Sequence, residues 1–309
     1  MKDVLKSIRK NMLKNFTIYL VSKTRIYLEL GKWRVTSLML ITAWVGMSLA
    51  ASKPISLQLS LFTLLGIGLV AISAGSLNHL LEYRLDSLMT RTEQRPLPQK
   101  KISSMHVLLF SLTTSLFGLV IVGLSSNLLT CFLSFSSLLV YSFIYTLYLK
   151  KYTAQNIVIG GLAGATPPLL GWTAVTGNID PGGLILVLII FIWTPPHFWS
   201  LAIARHNDYA KSNLPMLPVT HGIAFTKQQI LLYTLLLTGI SLLPFSIGMS
   251  GYFYLIAALL LNTGFIVAAT NLLKQTKATT AIKTFHYSNF YLLMLFACLF
   301  MDHSLMRNI

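Results

Sequence analysis

Long apolar runs alternate with short polar segments along the whole chain. Stretches such as Trp33 to Ser52 and Val187 to Ile203 carry almost no charge, and a run of about 18 apolar residues is long enough to cross a bilayer as a helix. The pattern predicts nine such helices, over 34–52, 56–80, 104–124, 127–149, 156–176, 183–204, 228–249, 252–273 and 286–304. The expected fold is therefore all-α, a polytopic membrane bundle of about nine transmembrane helices. A basic segment, 1–33, precedes a single transmembrane domain, 34–309.

Composition agrees with this pattern. Only 10% of the 309 residues are charged and 54% are hydrophobic, where a soluble domain carries roughly 25% charged residues. The first 32 residues are basic but lack a short apolar core and a small-residue cleavage site, so no removable signal peptide is expected. Residues 15–30 form a basic amphipathic stretch suited to the membrane interface. Cys131 and Cys298 lie inside apolar runs, without the partners a disulfide framework or metal site needs.

The formal charge of +16 is spread over the short segments between apolar runs, which argues against nucleic acid as a partner. With the N-terminus inside, 22 of the 24 Lys and Arg residues fall on that side, leaving Lys53 and Arg307 opposite. The positive-inside rule then places the N-terminus in the cytoplasm and the C-terminus outside. The long polar loops at 81–103 and 205–227 share the inner side, where function is expected to concentrate.

Three segments carry candidate chemistry. At the end of the second run, Asn78, Glu82 and Asp86 follow one another in steps of four, so they share a helical face with a drift of about 40° per step. Three oxygen-bearing side chains on one face suit Mg²⁺ and a diphosphate, although a helix emerging into water also turns polar. Scarcity favours the metal: the chain has eight acidic residues, and two of them stand on this face near membrane depth. Arg84, Arg91 and Arg95 follow, with Lys150, Lys151 and Arg205 on the same predicted side. They are candidate diphosphate contacts as well as topogenic charges.

The second segment runs Trp193-Thr194-Pro195-Pro196-His197-Phe198-Trp199, followed by Arg205 and Asp208. Two adjacent prolines are expected to break or bend the sixth helix beside a cavity. His197 suits a metal, a porphyrin or a freed carbonyl, and Trp193 and Trp199 suit either a flat apolar ligand or packing. The third segment, from Lys150-Lys151 to Gly160-Gly161, leads into a helix bearing Gly164, Pro167, Pro168 and Gly171, where small residues permit close helix approach.

Together these pieces resemble the UbiA superfamily of intramembrane prenyltransferases, and within it the branch that farnesylates haem. The likeness rests on Tyr27 to Val35, on Asn78 to Asp86 with Met89, Arg91, Thr92, Arg95, Pro96 and Leu97, on Thr153 and Gln155 to Gly161, on Gly164 to Pro168 with Gly171-Trp172, on Trp193 to Trp199 and on Pro215 to Pro218. It covers about residues 27–222. The superfamily's first motif is Asn-x-x-x-Asp-x-x-x-Asp, and Glu82 stands at its middle position. A second Asp-x-x-x-Asp is absent, since Asp208 is followed four residues later by Ser212.

The resemblance implies transfer of a farnesyl group from farnesyl diphosphate to a vinyl group of haem B, with addition of water, giving haem O and diphosphate. It implies Mg²⁺ held by Asn78, Glu82, Asp86 and Asp208 as the catalytic set, a haem site at His197, Trp193 and Trp199, and a bacterial inner membrane as location. Haem B is then a substrate, and a haem A synthase an implied partner enzyme. A quinone-pathway aromatic prenyltransferase is the nearest alternative and a membrane transporter a more distant one.

Overall fold

The computed structural model describes residues 21–307 apart from 91, 213 and 276. Nine helices among them are long and apolar enough to cross a membrane: Trp33–Ala50, Leu57–Asp86, Ser104–Ser125, Leu128–Tyr152, Asn156–Thr176, Pro181–Ala204, Ile223–Ser246, Tyr252–Lys274 and Ala278–Met306. They are numbered here as the first to ninth spans. The chain is a multi-pass membrane protein, and its outward faces are studded with exposed Leu, Ile, Phe and Trp, as a lipid-facing surface requires. The interfacial stretch expected at 15–30 is helical over 21–30, while 15–20 lie outside the described residues.

The spans pack closely where glycines meet backbone. A Cβ on Gly171 would sit 1.9 Å from the Ala43 carbonyl oxygen, and one on Gly46 would sit 2.1 Å from that of Pro168. The first and fifth spans therefore cross almost backbone on backbone. Gly66 and Gly118 do the same for the second and third, each within 2.8 Å of the other's carbonyl oxygen once a Cβ is added. The principal apolar cluster joins the first, fifth, sixth, seventh, eighth and ninth spans through Val45, Leu169, Leu186, Leu237, Phe265 and Leu295.

Two departures from regular α-helix fall elsewhere than the double proline of the sixth span predicts. That span runs unbroken from Pro181 to Ala204, with Pro195 and Pro196 inside it. The expected break is corrected to a continuous helix: the prolines deprive the Phe191 and Ile192 carbonyls of their backbone donors, but Thr194, Pro195, Pro196 and His197 are all buried against the bundle, and that packing holds the backbone in helical form. The fifth span is the divided one, as Asn156–Ala165 and Pro167–Thr176 with Thr166 between. Its Thr166 hydroxyl meets Ser137 Oγ at 3.0 Å, which also donates to the Ala163 carbonyl at 3.1 Å. The fourth span widens into a π-helix over Val140–Leu149, a winding that often marks functional positions.

At the end bearing residues 21–32 the loops fold back on the bundle. Leu30 and Leu97 bury against Val107 of the third span, drawing the start of the first span and the loop after the second together. Met89 joins Trp199, Tyr209, Leu214, Met216 and Leu217, so the two long polar loops meet over one apolar cluster.

Candidate active site

Asn78, Glu82 and Asp86 all lie on the last turns of the second span, which stays helical to Asp86. Their exposures are 3%, 2% and 3%, so this polar face points into protein rather than water. Each meets a cation from a different segment. Lys32 Nζ donates to Asn78 Oδ1 at 2.6 Å. Lys150 Nζ donates to both Glu82 carboxylate oxygens, at 2.7 and 2.8 Å. Arg95 donates one guanidinium nitrogen to both Asp86 oxygens, at 2.9 and 2.7 Å.

Local structure explains how these cations arrive. Lys32 adopts a left-handed backbone conformation, φ 48° and ψ 47°, at the N-cap of the first span. A non-glycine residue there is strained by about 1 kcal/mol or more, a cost sustained only when the surroundings hold it. Its ammonium also donates to Tyr141 Oη at 3.2 Å. Burial, and next the charge of Arg95, push the Lys32 pKa down to about 7. The cluster already resists holding another positive charge.

Lys150 follows directly on the π-helical turn, which also sets Tyr141 and Thr146. Thr146 Oγ1 donates to the Tyr141 carbonyl at 2.9 Å and accepts from Asn78 Nδ2 at 3.2 Å, so the amide is held from both ends. Arg95 is placed by its loop. Thr92 Oγ1 donates to the Asp86 carbonyl at 2.9 Å, and the Arg95 amide donates to the Thr92 carbonyl at 3.0 Å.

The other expected contacts are not brought to this cluster. Arg84 is exposed, with its Nε on Tyr83 Oη at 3.0 Å. Lys151 and Arg205 are exposed, and Arg91 lies outside the described residues. Asp208 is half-buried on the short helix His206–Lys211. No hydrogen bond or ion pair among the described residues joins it to Asn78, Glu82 or Asp86.

The three residues expected around haem are divided. Trp193 and His197, one helical turn apart, stack at 4.2 Å between ring centroids, with Phe285 of the ninth span 4.6 Å from the imidazole. Trp193 Nε1 donates to the Ser288 carbonyl at 2.8 Å. Trp199 is on the far side of the helix, 1% exposed in the loop-covered cluster and edge-on to Tyr233. His197 Nδ1 meets Ser288 Oγ at 2.7 Å. Ser288 Oγ also stands 2.7 Å from the Phe285 carbonyl; when its single hydrogen goes there, His197 carries its proton on Nδ1 and a lone pair on Nε2.

Lys32, Tyr141, Thr146 and Ser288 escaped the sequence reading. Lys32 lies within the Tyr27 to Val35 piece of the resemblance but received no role there, and the other three are ordinary residues of apolar runs. Its charge alone does not set Lys32 apart from the other basic residues near span ends.

A buried oxygen-rich helix face ringed by lysine and arginine thus stands inside a bundle of membrane-spanning helices. The chain belongs to the UbiA prenyltransferase family, whose model matches residues 39–298. It is most usefully compared with protoheme IX farnesyltransferases. That of Legionella pneumophila (strain Paris) is 54% identical over 279 residues, covering 90% of this chain and 95% of the relative. Protoheme IX farnesyltransferase 1 of Pseudomonas putida is 51% identical over 288 residues, covering 93% and 97%. Among solved structures, a digeranylgeranylglyceryl phosphate synthase superposes with a TM-score of 0.76 at 22% identity, over 91% of this chain and 99% of that one. A UbiA homologue from Archaeoglobus fulgidus bound to GPP and Mg²⁺ gives 0.64 at 14%, over 89% and 99%. At those identities the likeness is one of fold.

Proposed function

We propose that this prenyltransferase joins farnesyl diphosphate to haem B and water, giving haem O and diphosphate. The observation that carries the reading is the pairing of three buried oxygen donors on one helix face with Lys32, Lys150 and Arg95. The substrate identities are supported by the farnesyltransferase relatives at 54% and 51% identity. One amide and two carboxylates form the hard-oxygen set that Mg²⁺ takes, and cationic nitrogens already stand at those oxygens. Asn78, Glu82 and Asp86 would hold the metal, with Asp208 a further proposed ligand from the second loop. Bound there, Mg²⁺ supplies Lewis-acid neutralisation of the charge that develops on the departing diphosphate.

The chain's own residues do the rest. Lys150, Arg95 and Lys32 bind the diphosphate oxygens as the carbon–oxygen bond breaks, with Arg84, Arg91, Lys151 and Arg205 proposed as outer contacts that draw the anion in. The apolar bundle keeps water from the allylic cation until the vinyl carbon has bonded to it. Water then adds to the carbon left electron-poor and releases one proton. His197, with Nε2 free, and Trp193 offer a nitrogen donor and a flat wall to the macrocycle. Trp193, but not His197, lines a groove of about 40 Å³ with Leu38, Ile41 and Leu292 between the first, sixth and ninth spans, so those spans must part to seat a macrocycle there. Trp199, packed in the other cluster, is left as a support for the loop side of the site. A haem A synthase is the class of enzyme that would consume the product.

Membranes carrying the chain, supplied with labelled farnesyl diphosphate, Mg²⁺ and haem B, are expected to yield labelled haem O. Labelling of a phenolic acid instead would move the chain to the quinone pathway, and no transfer to either acceptor would refute the reading. In the same assay His197→Ala is expected to raise the apparent KM for haem and leave that for farnesyl diphosphate little changed. A fall of both affinities together would mark His197 as structural, through its bond to Ser288.

We infer from the charge bias that the site faces the cytoplasm across a bacterial inner membrane, with the C-terminus outside. Reporters fused after Arg307 and within 87–100 should then read opposite sides. Matching signals would overturn this topology.

A further inference from the structure

We propose that metal and diphosphate bind this site as a coupled pair, each tightening the other, because Lys32, Lys150 and Arg95 hold the metal's oxygen donors until a diphosphate draws them away. This rests on the reading of Asn78, Glu82 and Asp86 as metal donors. The pairing is one to one. Lys150 covers both oxygens of Glu82, Arg95 covers both oxygens of Asp86, and Lys32 covers the single amide oxygen of Asn78. A metal arriving alone meets donors already engaged.

Charge leads to the same conclusion. Glu82, Asp86, Lys150 and Arg95 sum to zero, in a site where the side chains of Glu82 and Asp86 are 3% and 4% exposed and those of Lys150 and Arg95 15% and 16%. A lone divalent metal raises the sum to about +2, and a lone trivalent prenyl diphosphate lowers it to about −3, both costly at low dielectric. Together they bring it to about −1, which the ammonium of Lys32 offsets. As the diphosphate arrives, each ammonium or guanidinium exchanges a carboxylate or amide oxygen for a phosphate oxygen, and the vacated donors turn to the metal. Two ion pairs and one ammonium–amide contact are replaced rather than lost, so no cation is left buried and unpaired.

Thermodynamic linkage requires the coupling to be reciprocal: diphosphate tightens metal binding by the factor by which metal tightens diphosphate binding. The site also differs in this respect from an open acidic motif, which would take up metal first.

Equilibrium dialysis of the purified full chain in detergent tests this, with Mn²⁺ standing in for Mg²⁺ and a labelled, unreactive farnesyl thiodiphosphate as the anion. Protein-bound metal and anion are counted with each alone and with both. The expected result is that each tightens the other by at least about 10-fold. In Lys150→Gln, Mn²⁺ alone should bind more tightly than in the wild type, the anion more weakly, and the mutual effect should shrink. Equal Mn²⁺ affinity with and without the anion overturns the coupling while leaving the metal site standing. Failure to retain Mn²⁺ in either condition, with the anion bound, overturns the metal reading and the inference together. The wild-type comparison decides even where the variant fails to insert.

Discussion

Asp86→Ala is expected to lower turnover by about 10²-fold or more, since it removes a carboxylate from the group that stabilises the departing diphosphate. Asp86 is 3% exposed and accepts both of its ion-pair contacts from Arg95. The alanine therefore also strands a guanidinium that is only 16% exposed, and breaking a buried pair from one side costs about 3–5 kcal/mol. Asp86→Asn separates the two effects. It keeps the volume and an oxygen that can accept from Arg95, but not the charge. The asparagine variant should insert and fold at near wild-type yield and still lose turnover. Activity within a few-fold of wild type in a folded Asp86→Asn protein would remove Asp86 from the catalytic set.

Gly171→Leu is expected to abolish the folded protein. A Cβ at this position would lie far inside van der Waals contact with the Ala43 carbonyl, and the obstacle is backbone, not a movable side chain. Overpacking usually costs about 1–3 kcal/mol; here two spans would have to separate, and even Gly171→Ala should reduce the yield of folded protein. Gly164 is the control on the other half of the same span, because a Cβ there meets nothing within 4 Å. Gly164→Ala should be tolerated. Thermal unfolding followed by size-exclusion in detergent compares the two, and equal stability of the Gly171 and Gly164 alanine variants would show that the first and fifth spans are not locked by this crossing.

The nine spans were legible in the chain because hydropathy is a local property, and their ends agree with expectation within a few residues in most cases. The second and ninth spans are exceptions. The second continues as helix through Asp86, beyond the apolar run that ended at 80, because its last turns bury against protein rather than meeting water. The ninth begins at Ala278, eight residues before the apolar run expected at 286, and its polar first turns pack on the neighbouring span through Ala281 and Thr284.

The sequence by itself determined the membrane class, the concentration of basic residues on one side and the common face of Asn78, Glu82 and Asp86, since four-residue steps on a helix leave little freedom. Which cations meet that face was a tertiary decision. Lys32 and Lys150 are 46 and 68 residues from their partners, and their arrival depends on a left-handed turn and a π-helical winding that no local pattern announced. Arg84, two residues beyond Glu82, points away because each helical residue turns by about 100°, which sets the two about 200° apart. The same rule separates Trp199 from Trp193 and His197. The prolines tell a similar story: Pro167-Pro168 begin a new helical segment while Pro195-Pro196 ride inside one. Their chemistry is identical, and only the packing around each pair settles whether the helix restarts or runs on.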